Sequence, residues 1–395
     1  MSRPQARSRA PRLLVVSHPA VVSVNQQVYR ELARRGWELT LVVPRRWRHD
    51  YAPRRIAPHA LAGLETSLLP LPVALPGRQQ RHFYLASCRA VCRRVHPDVA
   101  FVEEEPFALS SAQWGRALHA LAIPFGVQCY ENIDRPLPLP VRALRARVLR
   151  DAAFVAARSQ TAAELARRWG ARGEVRVAPP AIPRWEHESA APQPRDQRGE
   201  RPFTVGYAGR LVASKGLDDL LVAVRMLAAP VALTLIGDGP LREQLQGQPI
   251  PGGSVEVRAG VRHEQMPSAY AQLDVLVLPS RTTPTWKEQF GRVLIEALSC
   301  GVPVIGSDSG EIPWLIGLTG GGLVFAEGDA SELARQLDRL RGDPALARSL
   351  AAAGKATAER MFGVPASTDA LESLLRCGLA RAGRRRSGSA SANVF

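Results

Sequence analysis

The sequence predicts an α/β chain built as two Rossmann-like, doubly wound domains facing across a cleft. Short β-branched runs alternate throughout with longer stretches of helical period, the pattern of parallel strands joined by crossover helices. Residues 183–202 (PRWEHESAAPQPRDQRGERP) are polar, carry prolines and show no periodicity, so they read as a linker between halves of similar size. The chain's 395 residues are enough for each half to bury its own core.

In the first half, residues 13–17 (LLVVS), 38–43, 99–102, 124–128 and 153–157 read as strands, with helices at 25–35, 108–120 and 159–169. The basic lead before residue 13 resembles a signal peptide only superficially. His18 and Pro19 interrupt the apolar stretch and no small-x-small site follows. In the second half the strands are 203–207, 231–236, 254–258, 274–278, 303–306 and 322–325. Leu217, Leu220, Leu221, Val224 and Leu227 share one helical face over 215–227. The expected organisation is a first domain at 1–182, the linker at 183–202 and a second domain at 203–365. A helix at 366–382 and a disordered Gly/Ser/Arg tail at 383–395 complete it.

With 46% hydrophobic residues the chain cannot be disordered as a whole, and no apolar run approaches the ~20 residues of a membrane span. The five cysteines form no CxxC pair; Cys88 and Cys92, one helical turn apart, read as packed thiols of a reducing cytosol. The net charge of +16 sits wholly in residues 1–185, which carry 29 basic and 13 acidic side chains. Such a field suits an anionic partner. The alternative is compositional drift, since only Lys215, Lys287 and Lys355 among the 52 cations are not Arg.

Two segments carry chemistry. In 283–308 (TPTWKEQFGRVLIEALSCGVPVIGSD) a polar loop leads into a helix expected from Phe290 to Ser299, ended by Gly301 and Pro303. The amides of Phe290, Gly291 and Arg292 would face an anion at that helix start. Glu288 and Glu296 flank it. Either they bind hydroxyls, as sugars supply, or they are a solvated pair on an amphipathic helix. In 203–221 (FTVGYAGRLVASKGLDDLL) a strand ends in glycines, and Arg210 and Lys215 bracket a loop before a helix expected to be capped by Ser214. Two cations at such a junction could clamp a diphosphate. Taken alone, the loop also reads as solvated surface.

Together these segments resemble the donor-binding domain of a GT-B retaining glycosyltransferase of the broad family 4 group. That family's motif is two glutamates separated by seven residues, then a helix and a CGVPVI-like strand; here it runs from Glu288 through Glu296. GYAGRLVASKG, IGDGPLREQL, MPSAYAQLDVLVLPS, SGEIPWLI and GLVFAEGDASELARQL match as well, so the likeness is dense over 200–370. TPTWKEQFGRVLIEAL resembles a bacterial subgroup of exopolysaccharide or lipopolysaccharide assembly.

The resemblance implies that Arg210 and Lys215 hold the diphosphate of a nucleotide-sugar and that Glu296 binds ribose hydroxyls. It also implies that Glu288 binds the sugar and that Phe290, Gly291 and Arg292 complete the donor site. It implies retention, a hexosyl group moved to a glycan or lipid-linked acceptor, and no metal or other cofactor; no DxD triplet is present. The first half matches less well. The loop SHPAVVSVNQQ lacks the family's glycine pair, leaving His18 and Asn25 as candidate cleft contacts, or His18 as a turn residue. Where relatives place a histidine, this chain has Gln128-Cys129-Tyr130-Glu131-Asn132. Glu131 is the candidate replacement, orienting the acceptor or acting as base, or it caps the next turn. Glu103, Glu104 and Glu105 read as a solvated charge run.

Residues 139–150 (LPVRALRARVLR) read as a basic amphipathic helix, either lying on an anionic membrane or packed on the core with a solvated face. The expected location is cytoplasmic, peripheral on the inner face of the membrane. Two other classes compete: another GT-B enzyme such as a nucleotide-sugar epimerase, and a non-catalytic binder of nucleotide-sugars or nucleic acid. The low aromatic content and lack of a recognition motif count against nucleic acid.

Overall fold

A computed structural model describes residues 9–48, 55–185 and 201–391, with side chains to residue 381. Contacts divide the chain into two compact units, Met1–Pro179 with Val364–Phe395, and Pro180–Gly363. Residues 186–200 of the expected linker lie outside the described residues.

Unit 1 runs β1 (Arg12–Val16), α1 (Gln27–Arg34), β2 (Glu38–Pro44), β3 (Trp47–Arg48), β4 (Arg55–Ile56), β5 (Leu68–Leu71), β6 (Val73–Ala74) and β7 (Phe83–Tyr84). It continues through α2 (Cys88–Val95), β8 (Val99–Val102), α3 (Leu109–Ala120), β9 (Phe125–Cys129), α4 (Leu139–Asp151), β10 (Phe154–Ala157), α5 (Gln160–Arg168) and β11 (Glu174–Val177). Seven strands form one parallel sheet in the order β11-β10-β9-β8-β1-β2-β5; β3–β4 and β6–β7 are small antiparallel pairs. Beside the central strand β8 lies β1, whose Leu13 to Val16 are 0% exposed because helices cover both faces. Leu14 and Val16 enter one core and Leu13 and Val15 the other, the period-2 alternation of a strand. Ser87 and Ser159 start α2 and α5 by accepting the amides of Ala90 and Ala162.

Unit 2 runs β12 (Phe203–Ala208), α6 (Leu217–Arg225), β13 (Val231–Ile236), α7 (Arg242–Leu245), β14 (Ser254–Arg258), α8 (Met266–Tyr270) and β15 (Val275–Leu278). Then come α9 (Arg292–Ser299), β16 (Val304–Ser307), α10 (Ile312–Thr319), β17 (Gly322–Phe325), α11 (Ala330–Gly342) and α12 (Pro344–Phe362). Its sheet, β14-β13-β12-β15-β16-β17, is parallel throughout. Counted in chain order within the unit, that is the doubly wound order 3-2-1-4-5-6.

The last helix, α13 (Val364–Ser391), belongs to unit 1. Its Leu371, Leu374 and Leu375 join Leu13, Val15, Phe101 and Phe154 in one core, each worth about 1.5–3 kcal/mol of burial. Glu372 also accepts from Arg35 at 3.0 Å and Trp37 Nε1 at 3.2 Å. The helix continues to Ser391, since extending a helix already pinned costs far less than nucleating one. Residues 392–395 lie outside the described residues. No described helix is long and apolar enough to cross a membrane.

Candidate functional site

A doubly wound sheet binds ligands beyond the carboxyl ends of its strands, where the order reverses. In unit 2 that point lies between β12 and β15, so the residues following each are placed there by topology. After β12 come Gly209 and Arg210, whose carbonyl accepts the Tyr207 hydroxyl at 2.7 Å. No carboxylate among the described residues pairs with the Arg210 guanidinium. A single 3-10 turn, Ala213–Lys215, then leads into α6. Ser214 does not cap that helix, contrary to expectation. Gly216 does, at φ +64°, and a Cβ there would lie 1.9 Å from the Pro279 carbonyl. That close approach brings the turn against the chain leaving β15, where Arg281 donates its amide to Ser214 and its guanidinium to Asp219.

Lys215 thereby reaches Glu288. Its ammonium lies 2.5 Å from Glu288 Oε2 and 4.6 Å from the Trp286 ring centroid. Ser280 donates to the same carboxylate oxygen at 2.8 Å. Glu288 is 9% exposed and Glu296 5%, so neither is a solvated surface charge.

Helix α9 starts at Arg292 rather than Phe290, because Gly291 at φ +73° is its N-cap. Phe290 is 1% exposed, and its ring packs edge-on against Phe362 at 5.9 Å. Arg292 pairs with Glu296 Oε1 at 2.9 Å, and the Tyr270 hydroxyl donates to Oε2 at 2.9 Å. Burial, reinforced by the Glu296 charge, pushes the Tyr270 phenol well above its ordinary range. Beside this group, the Trp185 ring lies tilted against His263, centroids 4.6 Å apart. Nothing in the sequence signals the parts of Tyr270 and Trp286, whose partners Glu296 and Lys215 are distant in sequence, nor that of Ser280, whose contact with Glu288 depends on how the loop after β15 folds back.

The corresponding point in unit 1 lies between β1 and β8. Here the expectation of a solvated acidic run is corrected. Glu103 accepts from Ser17 (2.6 Å), Arg158 (2.6 Å) and Tyr29, a network that ties the ends of β1, β8 and β10 together. Glu104, 1% exposed, accepts the His18 amide at 3.1 Å and faces His18 Nδ1 at 2.7 Å. Burial alone would raise its carboxyl; His18 and His82 outweigh that and hold it at about 2. Glu105 accepts the Tyr130 amide at 2.7 Å, and burial lifts it to about 8. The run looked solvated because its partners, His18 and His82, are remote in sequence.

His18 therefore stands at the switch point, whereas Asn25 donates to the Pro19 carbonyl at 2.9 Å and braces the turn between them. Glu131, 5% exposed, accepts the amides of Asn132 and Ile133 at 3.1 and 3.2 Å and pairs with Arg135 at 2.7 Å. That is the turn-capping arrangement. In α4, Val148 and Leu149 are buried and Leu144 packs on the core, while Arg142, Arg147 and Arg150 are exposed; Arg145 stacks on Trp169 at 4.0 Å.

Known families match both halves: Glycosyltransferase Family 4 over residues 21–184 and Glycosyl transferases group 1 over residues 192–357. The chain belongs to the family 4 group of GT-B glycosyltransferases. A GDP-mannose-dependent alpha-(1-6)-phosphatidylinositol monomannoside mannosyltransferase of Mycolicibacterium smegmatis is 31% identical over 236 residues, 55% of this chain and 60% of that protein. The lipopolysaccharide core biosynthesis glycosyltransferase LpsD of Rhizobium meliloti is 34% identical over 183 residues, 45% of this chain and 51% of that one. The chain thus spans three-fifths or less of these curated relatives. Among solved structures, a sucrose-phosphate synthase from Thermosynechococcus elongatus superposes with a TM-score of 0.67 at 19% identity, covering 94% of this chain and all of that one. Anabaena HepE in complex with UDP and glucose gives 0.66 at 19% identity, covering 93% and 99%. At such identities these two structures speak for the GT-B fold alone.

Proposed function

We propose that this family 4 protein is a retaining, metal-independent hexosyltransferase. It moves a sugar from a nucleoside-diphosphate-sugar to a hydroxyl of a glycan or lipid-linked acceptor in bacterial cell-surface polysaccharide or glycolipid synthesis. The observation that carries this reading is the buried Lys215–Glu288 pair at the switch point of unit 2, beside the start of α9. The names of the mycobacterial and rhizobial relatives support the substrate classes.

In this mechanism Arg210 and Lys215 offset the diphosphate charge, the part a metal would otherwise play, and stabilise it as it leaves. Glu288 and the amides of Phe290, Gly291 and Arg292 orient the donor sugar, and Glu296 takes the ribose hydroxyls. The acceptor hydroxyl attacks the anomeric carbon on the face the diphosphate departs from. The glycosidic C–O bond breaks with its electron pair on the phosphate oxygen, and that oxygen receives the acceptor's proton. The configuration is retained. Glu131 is assigned to the acceptor side through its own anchored turn. The exposed arginines of α4 would add about 1 kcal/mol each near anionic lipid, which suits a cytoplasmic enzyme working peripherally on a membrane-held acceptor.

The test is thermal stabilisation by a panel of nucleoside diphosphates and their sugars in EDTA, each compared with ligand-free protein in the same buffer. A rise with one nucleotide identifies the donor; no rise with any overturns the donor site. Anomeric configuration of the product, read by NMR, tests retention. Flotation on anionic against neutral liposomes tests the membrane surface, and equal absence from both rejects it.

A further inference from the structure

Between β1 and β8 of unit 1, three side chains from distant parts of the chain converge: His18 after β1, His82 just before β7, and Glu104 after β8. One ligand atom from each lies within 4.8 Å of the others. His82 is 0% exposed and Glu104 1%, while the His18 side chain keeps 13% exposure and forms the open side. Trp47 walls the group, its ring 4.9 Å from both imidazoles.

His82 carries the argument. Its Nδ1 lies 2.9 Å from the Gln79 carbonyl, and a carbonyl only accepts, so Nδ1 carries a proton. Nε2 then points inward, wholly buried and without a hydrogen-bond partner. Glu104 Oε1 stands 3.6 Å away, beyond hydrogen-bond reach and far too close for a water between them. The Nε2–Oε1 gap is thus either a long imidazolium–carboxylate contact or the span of a cation held between the two. A metal ion with legs of about 2.0–2.1 Å at a tetrahedral angle spans roughly 3.4 Å between two ligand atoms, which matches the gap. The Nδ1–H bond to a backbone carbonyl is also the outer partner that ligating histidines use to fix tautomer and ring orientation.

We infer that His18, His82 and Glu104 bind a divalent first-row ion of the zinc class, tying the loops after β1 and before β7 to the carboxyl end of β8. Two imidazoles and a carboxylate are a zinc-type donor set with a fourth position open on the His18 side. The short His18–Glu104 contact opens as the ion enters between them. The site concerns unit 1 alone and stands apart from the donor chemistry proposed for unit 2.

The test uses full-length protein without a histidine tag, stripped with a chelator, dialysed and titrated with zinc chloride alone, then with Co2+ as a spectroscopic stand-in. The expected result is one bound zinc per chain, a raised melting temperature, and the visible absorption of tetrahedral Co2+. His18→Ala, whose side chain is partly exposed, should weaken zinc binding at least as much as the about 10- to 100-fold that losing an outer-shell partner costs. Glu104→Gln should do the same. His119→Ala, 53% exposed and outside the cluster, should change nothing. No stoichiometric zinc in the parent protein, or binding and cobalt spectra untouched in folded His18→Ala, overturns the site. His18→Ala decides the matter even if the buried Glu104→Gln fails to fold.

Discussion

Lys215 and Glu288 share an ion pair at 2.5 Å across 73 residues of sequence. Three local features make it: the Gly216 turn, the chain leaving β15, and the Ser280 hydroxyl on the same carboxylate oxygen. An ammonium has three donors, so Lys215 can hold Glu288 and still meet a phosphate. Lys215→Ala should lower turnover by on the order of 10²–10³-fold, as loss of a transition-state charge partner does elsewhere. Lys215→Arg should rescue it poorly, since a guanidinium fork does not replace a point charge. Glu288→Ala should abolish turnover with the far-UV circular dichroism unchanged. Wild-type rates of nucleotide release from any of these variants would remove the pair from the mechanism.

Glu296 offers a sharper separation of binding from chemistry. Its two oxygens are held by Arg292 and Tyr270 at 2.9 Å each, which fixes where the remaining lone pairs point. Glu296→Gln keeps the shape and removes the charge. A hydrogen bond to a charged group contributes about 1.5–3 kcal/mol, so the dissociation constant for the nucleoside diphosphate should rise roughly 10- to 100-fold. Tyr270→Phe, which leaves the carboxylate in place, should shift it far less. Calorimetric titration reads both, and equal affinities for Glu296→Gln and the parent would refute the ribose assignment.

What could be read in advance follows from range. β1, β2 and β8 were legible because a strand buried on both faces leaves an apolar run, and β12, β13, β15 and β16 for the same reason. β5 and β11 escaped notice as edge strands: one contains Pro70, the other alternates Glu174 and Arg176 with valines. Ser214 looked like a cap, but the approach of Gly216 to the Pro279 carbonyl decided the helix start. Arg210, Lys215, Glu288 and Glu296 stood out because each sits in a local motif. That Lys215 meets Glu288, or that Glu104 lies between His18 and His82, is set by strand order, which no local window contains.

Gly310 tests how tightly the donor loop is held. It sits at φ +58°, and a Cβ there would fall 2.0 Å from the Glu288 carbonyl, the same carbonyl that accepts the Glu311 amide at 3.1 Å. Gly310→Ala should cost at least about 1–2 kcal/mol for the left-handed backbone alone, and the clash should move Glu288 and depress turnover. Gly317 in α10 has nothing within 4 Å of its Cβ position, so Gly317→Ala should be neutral or stabilising by up to about 1 kcal/mol. Melting temperatures and nucleotide release of the pair check this, and matched behaviour of the two variants would mean the loop yields.

Alkaline pH should unfold this protein earlier than its basic charge alone suggests. Burial, with Cys92 beside it, pushes the Cys88 thiol up to about 12, and burial lifts Cys92 and Cys300 to about 11. Tyr29, Tyr84 and Tyr270 are raised in the same direction, burial first. The folded state therefore keeps protons that the unfolded chain releases near the ordinary cysteine value of about 8.5. Their stabilising contribution is whole below that value and is lost as pH climbs through the folded values toward 11 and 12. Each such group costs about 1.4 kcal/mol per pH unit in that window. The urea midpoint should be flat from about pH 7 to 8 and fall steadily above about 9. Cys88→Ala should remove one group's share of that slope at a packing cost visible already at neutral pH. A midpoint that stays level to about pH 10.5 would show that the buried thiols and phenols are not withheld from solvent.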